Sequence, residues 1–146
     1  MPAIRHTVFG RYGKIQIGTV IGVLNAEELI RQYFEAWLTQ DESGLACMFA
    51  ADAVYSECYG PEYRGLDQIL RWFRDWNARG KVTAWDIKGW IRQGNRIAVE
   101  WYFACVYDGE ASAFDGVSIV ECNAGGKICA LREFQSKAEH VFPYGE

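Results

Sequence analysis

The chain has 146 residues, of which half are hydrophobic and 15% aromatic, and its net charge is −4. That is the length of one ordinary domain with ample apolar side chains for a core, which excludes a disordered chain. The acidic balance and the lack of any Lys/Arg run argue against nucleic acid as a partner, and no apolar stretch is long enough to span a membrane.

The first 24 residues carry mixed signals. Arg5, Arg11 and Lys14 precede an apolar run from Ile15 to Leu24, a pattern faintly similar to a secretory leader. The run is short, broken by glycine and contains Gln16. It lacks a clean small-x-small cleavage site, since Leu24 sits two before Ala26. A cytoplasmic location is therefore expected. Ile15, Ile17, Thr19, Ile21 and Val23 alternate with Gln16, Gly18, Val20 and Gly22, so residues 1–24 read as an added strand or a loose extension.

A helix is predicted from Asn25, where Asn25 can cap and Glu28 completes a capping box. Leu29, Ile30, Tyr33, Phe34, Trp37 and Leu38 then recur at helical spacing as one apolar stripe. A short second helix follows Asp41, with Leu45, Met48 and Phe49 on one side. A third runs from about Leu66 to Arg79 and stops at Gly80, burying Ile69, Phe73 and Trp76 with Trp72 beside them.

Beyond Gly80 the period becomes two. Thr83, Trp85, Ile87 and Ile91 alternate with Asp86, Lys88 and Arg92. Gly94-Asn95 and Asp108-Gly109 are hairpin turns, and they bracket a strand with Val99, Trp101, Phe103 and Cys105 on one face. Strands over about Ser112–Cys122 and Lys127–Lys137 follow, separated by Gly125-Gly126. Short connections in a row make an antiparallel meander, and long twisted strands curl. The expected fold is α+β: a cone-shaped roll of three N-terminal helices packed on a curved meander sheet. Residues 25–137 form its domain, residues 138–146 a tail, and the mouth of the cone a natural ligand site.

Five cysteines, Cys47, Cys58, Cys105, Cys122 and Cys129, form no C-x-x-C pair and are odd in number. They read as small buried hydrophobes in a reducing compartment rather than a disulfide framework or a metal site. Cys58 has no histidine at a recognisable spacing, which disfavours a Cys-His nucleophile. No phosphate loop, dinucleotide fingerprint or zinc-protease motif occurs, so neither cofactor nor metal is expected.

The order of elements resembles the nuclear transport factor 2-like superfamily, in its SnoaL-like and ketosteroid-isomerase-like branch. The strings that carry the resemblance are AEELIRQYFEAW, FAADAVYSECYGPEYRG (Phe49–Gly65), FDGVSIVEC and GKICALREF (Gly126–Phe134). It covers about Asn25 to Lys137. This superfamily holds enzymes, binding modules and protein-transport partners on one cone, so the fold alone implies no activity.

In the limonene-epoxide-hydrolase-like branch, the strand after the FAADA segment supplies a Tyr and an Asn to the pocket. The resemblance puts Tyr55 and Glu57 there; the plainer reading is a core Tyr and a rim Glu. Glu133 matches a catalytic Asp of a similar last strand, its alternative being a surface carboxylate paired with a neighbouring strand. Trp101 and Phe103 stand where that branch needs an Arg and an Asp, so epoxide hydrolysis is not expected. Dehydratases of the fold lean on pocket histidines, and here only His6 and His140 exist, both in the terminal segments.

The Asp108-Gly109 turn sets a register with Tyr102 near Asp115 and Glu100 near Val117. Glu100 and Asp115 then fall on the convex face, although a β-bulge would turn Asp115 into the pocket, where it is kept as a candidate. Trp72, Trp76, Trp101, Phe103 and Phe114 are the expected aromatic wall. These expectations describe a small-molecule-binding domain for a small hydrophobic or aromatic organic ligand, neutral or cationic. Chemistry, if present, would be cofactor-free isomerisation, cyclisation or dehydration, with Glu133 or Glu57 as base and Tyr55 as donor to an oxyanion. The alternative is a non-catalytic ligand-binding or protein-interaction module. A homodimer through the convex sheet face is expected under either reading.

Overall fold

The computed structural model describes residues 12–145. Three helices, α1 (Tyr12–Thr39), α2 (Glu42–Met48) and α3 (Leu66–Asn77), accompany six strands. These are β1 (Phe49–Ser56), β2 (Glu62–Arg64), β3 (Gly80–Gln93), β4 (Arg96–Tyr107), β5 (Glu110–Cys122) and β6 (Ile128–Ser136). They make one curved sheet in the order β2-β1-β6-β5-β4-β3.

The predicted meander is β3 to β6. Its hairpins close at the expected dipeptides: Gln93 pairs with Arg96 across Gly94-Asn95, and Tyr107 with Glu110 across Asp108-Gly109. Asp108 and Gly109 both have positive φ (50° and 83°), as a two-residue hairpin loop requires. The sheet is nevertheless mixed, not purely antiparallel, because β1 pairs in parallel with β6 and antiparallel with β2. Tyr55 lies beside Leu131 in the β1–β6 ladder, a contact across the whole domain that no turn signal announces.

Two local expectations change. α1 starts at Tyr12, so Asn25 lies inside a longer helix and the predicted strand over Ile15–Val23 is helical. The same residues obey a second period: Ile17, Val20, Ile21 and Leu24 stand at i, i+3, i+4 and i+7. A helix pairs its backbone within the segment, whereas a strand needs a neighbour. The leader-like residues Arg5 and Arg11, with His6, lie outside the described residues. In β3 the ladder slips between Val82 and Ala84 and again between Ile87 and Gly89. Each slip exchanges the two faces, so Val82 and Trp85 are buried while Thr83 and Ile91 are exposed.

The core fills the space between sheet and helices. α1 contributes Ile30, Tyr33, Phe34 and Trp37, one helical stripe, all buried. Phe34 stacks on Trp85 of β3 with ring centres 4.1 Å apart. α2 is capped by Asp41, whose carboxylate accepts the Gly44 N–H at 3.0 Å. α3 buries Ile69 and Phe73 and leaves Trp72 and Trp76 half-exposed toward the hollow of the sheet. Among the residues whose side chains are described, the buried cluster runs from Ile30 to Leu131. Removing residues 1–20 should leave a cooperative thermal transition in scanning calorimetry. A broad, non-cooperative melt would make the N-terminal turns of α1 integral to the fold.

Candidate functional site

The concave side of the sheet and the inner face of α3 enclose a cavity of about 760 Å³. Its polar heart is formed where β1 and β6 run side by side. Tyr55 and Leu131 are neighbours in that ladder, so Glu133, two residues on, points to the same side as Leu131. Tyr55 is fully buried and donates its hydroxyl proton to Glu133 Oε1 in a short hydrogen bond. Tyr33 of α1, also fully buried, donates to the Tyr55 hydroxyl at 2.7 Å. The three groups form a directed chain, Tyr33 to Tyr55 to Glu133. Burial beside the acid holds both phenols well above their ordinary pKa, so both remain donors.

Glu133 makes no ion pair among the described residues. Burial pushes its carboxyl up from about 4.5 to about 8, and the neighbouring Glu57 charge pushes the same way. Hydrogen bonds from Tyr55 and the Cys58 backbone pull it back only in part. Glu57, just past the end of β1, accepts from Tyr63 of β2 at 3.3 Å. Its carboxyl is also raised, by burial, with Tyr63 and Trp72 opposing. Tyr55 and Tyr63 are partners in the β1–β2 ladder, so one cross-strand pair of tyrosines serves both carboxylates.

Aromatic rings make most of the remaining wall. Trp72 and Tyr63 stack 4.8 Å apart. Across the cavity lie Trp101, Phe103 and Phe114, the last two 5.2 Å apart. Trp101 is fixed by its Nε1–H, which donates to the buried Ser118 hydroxyl at 2.9 Å, and by lying against Gly116.

The profile of the SnoaL-like domain matches residues 30–131. The chain belongs to the SnoaL-like domain family. No curated protein shows significant similarity to it. Among solved structures, a Catenulispora acidiphila protein with a ketosteroid-isomerase-like fold, in complex with trimethylamine, superimposes with a TM-score of 0.67 at 21% identity. That match covers 76% of this chain and 86% of the other. An LEH-like epoxide hydrolase from M. tuberculosis gives 0.70 at 17% identity, covering 77% and 84%. An NTF-2-like protein from Burkholderia xenovorans gives 0.68 at 18%, covering 85% and 92%. At these identities the likenesses establish the fold.

Within this SnoaL-like domain, eight of the nine residues expected at the site line the cavity: Tyr55, Glu57, Glu133, Trp72, Trp76, Trp101, Phe103 and Phe114. Asp115 does not. The β4–β5 ladder carries no bulge, so Asp115 stays opposite Tyr102 on the convex face and its carboxylate pairs with Lys88 at 2.6 Å. Glu100 is opposite Val117 and exposed. Tyr55 differs from expectation in another way: its only proton is committed to Glu133, so it positions the acid rather than offering a free donor to a ligand. Tyr33, Tyr63 and Trp85 escape a linear reading. Tyr33 sits in the apolar stripe of α1, and nothing in that stripe tells that its hydroxyl reaches a partner 22 residues on. Cys58 lines no part of the cavity wall, and its thiol, pushed up to about 12 chiefly by burial, is a poor nucleophile. No three potential metal ligands converge among the described residues, where no helix is long and apolar enough to cross a membrane.

Proposed function

We propose that this SnoaL-like domain binds a compact organic molecule in the cone and moves a proton on it without a cofactor, Glu133 being the acid–base group. The observation that carries this reading is the placement of Glu133: a carboxyl on the wall of an apolar cavity, held by a buried tyrosine and answered by no cation among the described residues. A carboxyl with a pKa near the working pH is well matched to both taking and giving a proton. One that served only packing would cost stability for no return. Glu133 would abstract a proton from a carbon acid of the ligand and return it at another position or release it with a leaving group. Tyr55 and Tyr33 hold the carboxyl in line, and the aromatic walls exclude water. The trimethylamine held by the Catenulispora neighbour is a compact organic molecule of the kind such a cavity admits.

The reading is tested without knowing the substrate. A panel of cyclic ketones, 1,3-dicarbonyl compounds and phenolic polyketide fragments is incubated with the protein in D₂O, and exchange at carbon is read by NMR. Wild-type protein should exchange at least one panel member, at a rate rising toward pH 8 and level above it. Glu133→Gln should lose about 10²–10⁴-fold of that rate. Exchange that survives Glu133→Gln undiminished would remove Glu133 from the chemistry. The same proposal includes a homodimer through the convex face, where Phe134 and Val106 are 52% and 38% exposed on a wide sheet surface.

A further inference from the structure

The cavity's charges and rings are matched to a particular ligand class. Of its nineteen described lining residues, eleven are aromatic. Five carry charge: Glu57, Glu133, Asp75, Arg71 and Arg79. The two cations sit at the rim and are already engaged, Arg71 lying 3.8 Å from Asp75 and Arg79 held by Asp108 and by the face of Tyr107. Asp75, on the rim with Arg71, is therefore also answered. What remains among the described residues is Glu57 and Glu133, two acids lining the same cavity, the Glu57 charge opposing ionisation of Glu133, with only hydroxyl and N–H donors around them. A pair of acids in an apolar wall attracts a positive charge, and ring faces attract the same charge from the other sides.

We propose that the cavity takes an organic ammonium cation, a quaternary or fully substituted amine, held between Glu57, Glu133 and the rings of Trp72, Tyr63 and Phe114. Such an ion is too poorly hydrated to resist transfer into an aromatic cavity, and it supplies the countercharge that neither acid finds among the described residues. This inference rests on the pocket reading above and names the chemistry of its ligand. Binding is coupled to the site's proton. The titratable groups facing Glu133 are Tyr33 from α1, Tyr55 from β1, Glu57, Cys58 and Tyr59 from the segment after β1, and Tyr63 from β2. None is a cation, and β5 contributes the neutral Ser118 at the paired position. A bound ammonium group favours the ionised acid, so the ligand makes Glu133 a base on arrival.

The experiment compares choline with its neutral carbon isostere, 3,3-dimethylbutan-1-ol, by isothermal titration at pH 6 and pH 8.5, with N-phenyl-1-naphthylamine fluorescence as an independent neutral probe of the cavity. Choline should bind at least tenfold more tightly than the alcohol at pH 8.5. That preference should shrink severalfold at pH 6 and vanish to within twofold in Glu57→Gln/Glu133→Gln, which still binds the naphthylamine. Equal affinity of the two isosteres, or a preference untouched in the double variant, overturns the cation class. Failure of both isosteres while the naphthylamine still enters overturns the cation class and leaves the pocket reading standing. Failure of all three overturns both.

Discussion

Glu133→Gln should be more stable than the wild-type protein at alkaline pH, and the two should converge in acid. A carboxyl with a folded pKa of about 8 and an ordinary value near 4.5 holds its proton more tightly folded than unfolded. Its contribution is therefore fully favourable below pH 4.5 and is lost as pH rises toward 8. Each unit of difference corresponds to about 1.4 kcal/mol, so the loss by pH 9 is on the order of 3–5 kcal/mol. Glutamine keeps the shape and accepts the Tyr55 proton through its side-chain carbonyl, but it has nothing to ionise. Urea unfolding of both proteins at whole pH units from 5 to 9 isolates the term, because every other titrating group is common to the pair. The difference should be smallest at pH 5, where the loss has only begun, and rise in favour of the variant through pH 8. A difference that stays flat with pH would mean that Glu133 titrates in the folded protein as it does unfolded, and the acid–base reading would lose its physical basis.

The expected gain identifies where the fold gives up stability for the site. A methionine or leucine at Glu133 would suit the aromatic wall without a titrating group. The chain instead places two acids there and commits two buried tyrosine hydroxyls to one of them. Tyr33 and Tyr55 are both fully buried, and their hydroxyls are bonded to each other and on to Glu133. Losing Glu133 to an apolar residue would strand the Tyr55 proton, which is why the amide is the informative replacement.

How much of this could be read from residues alone depends on how local each contact is. The dipeptide Asp108-Gly109 fixes a two-residue turn, and that turn fixes every pair of the β4–β5 ladder, including Tyr102 with Asp115 and Trp101 with Gly116. The helical stripe of Ile30, Tyr33, Phe34 and Trp37 is equally legible. The slips in β3 are not, because a bulge is chosen by packing on both faces rather than by its own residues. The parallel β1–β6 pairing joins segments about 75 residues apart with no turn between them, and it alone brings Tyr55 to Glu133. Glu133 was reachable from sequence through the likeness of its strand to a known one. The hydrogen-bond chain behind it was not, since hydroxyl partners 22 and 78 residues distant leave no periodic trace.

Gly116→Ala should be among the most destabilising single-methyl additions in the molecule, by about 2–4 kcal/mol in urea unfolding. Gly116 pairs with Trp101 across β4 and β5 and lies on the concave face, so any side chain there must share space with the indole. A Cβ built at Gly116 would stand 2.2 and 2.5 Å from two carbons of the Trp101 ring and 2.6 Å from the Phe134 carbonyl oxygen. Both are far inside van der Waals contact. The indole cannot simply swing away, because its N–H is tied to Ser118 at 2.9 Å and its ring is packed against Trp85, Phe103 and Phe114. The strain should therefore divide into a part carried by the six-membered ring of the indole and a part carried by the β6 backbone. Trp101→Phe removes the clashing ring carbons and leaves the carbonyl in place. In a double-mutant cycle, Gly116→Ala should then cost about 1–2 kcal/mol less in the Trp101→Phe background than in the wild type. Additive costs would place the whole clash on the backbone, and a neutral Gly116→Ala would show that the tryptophan at the heart of the cavity wall is free to move.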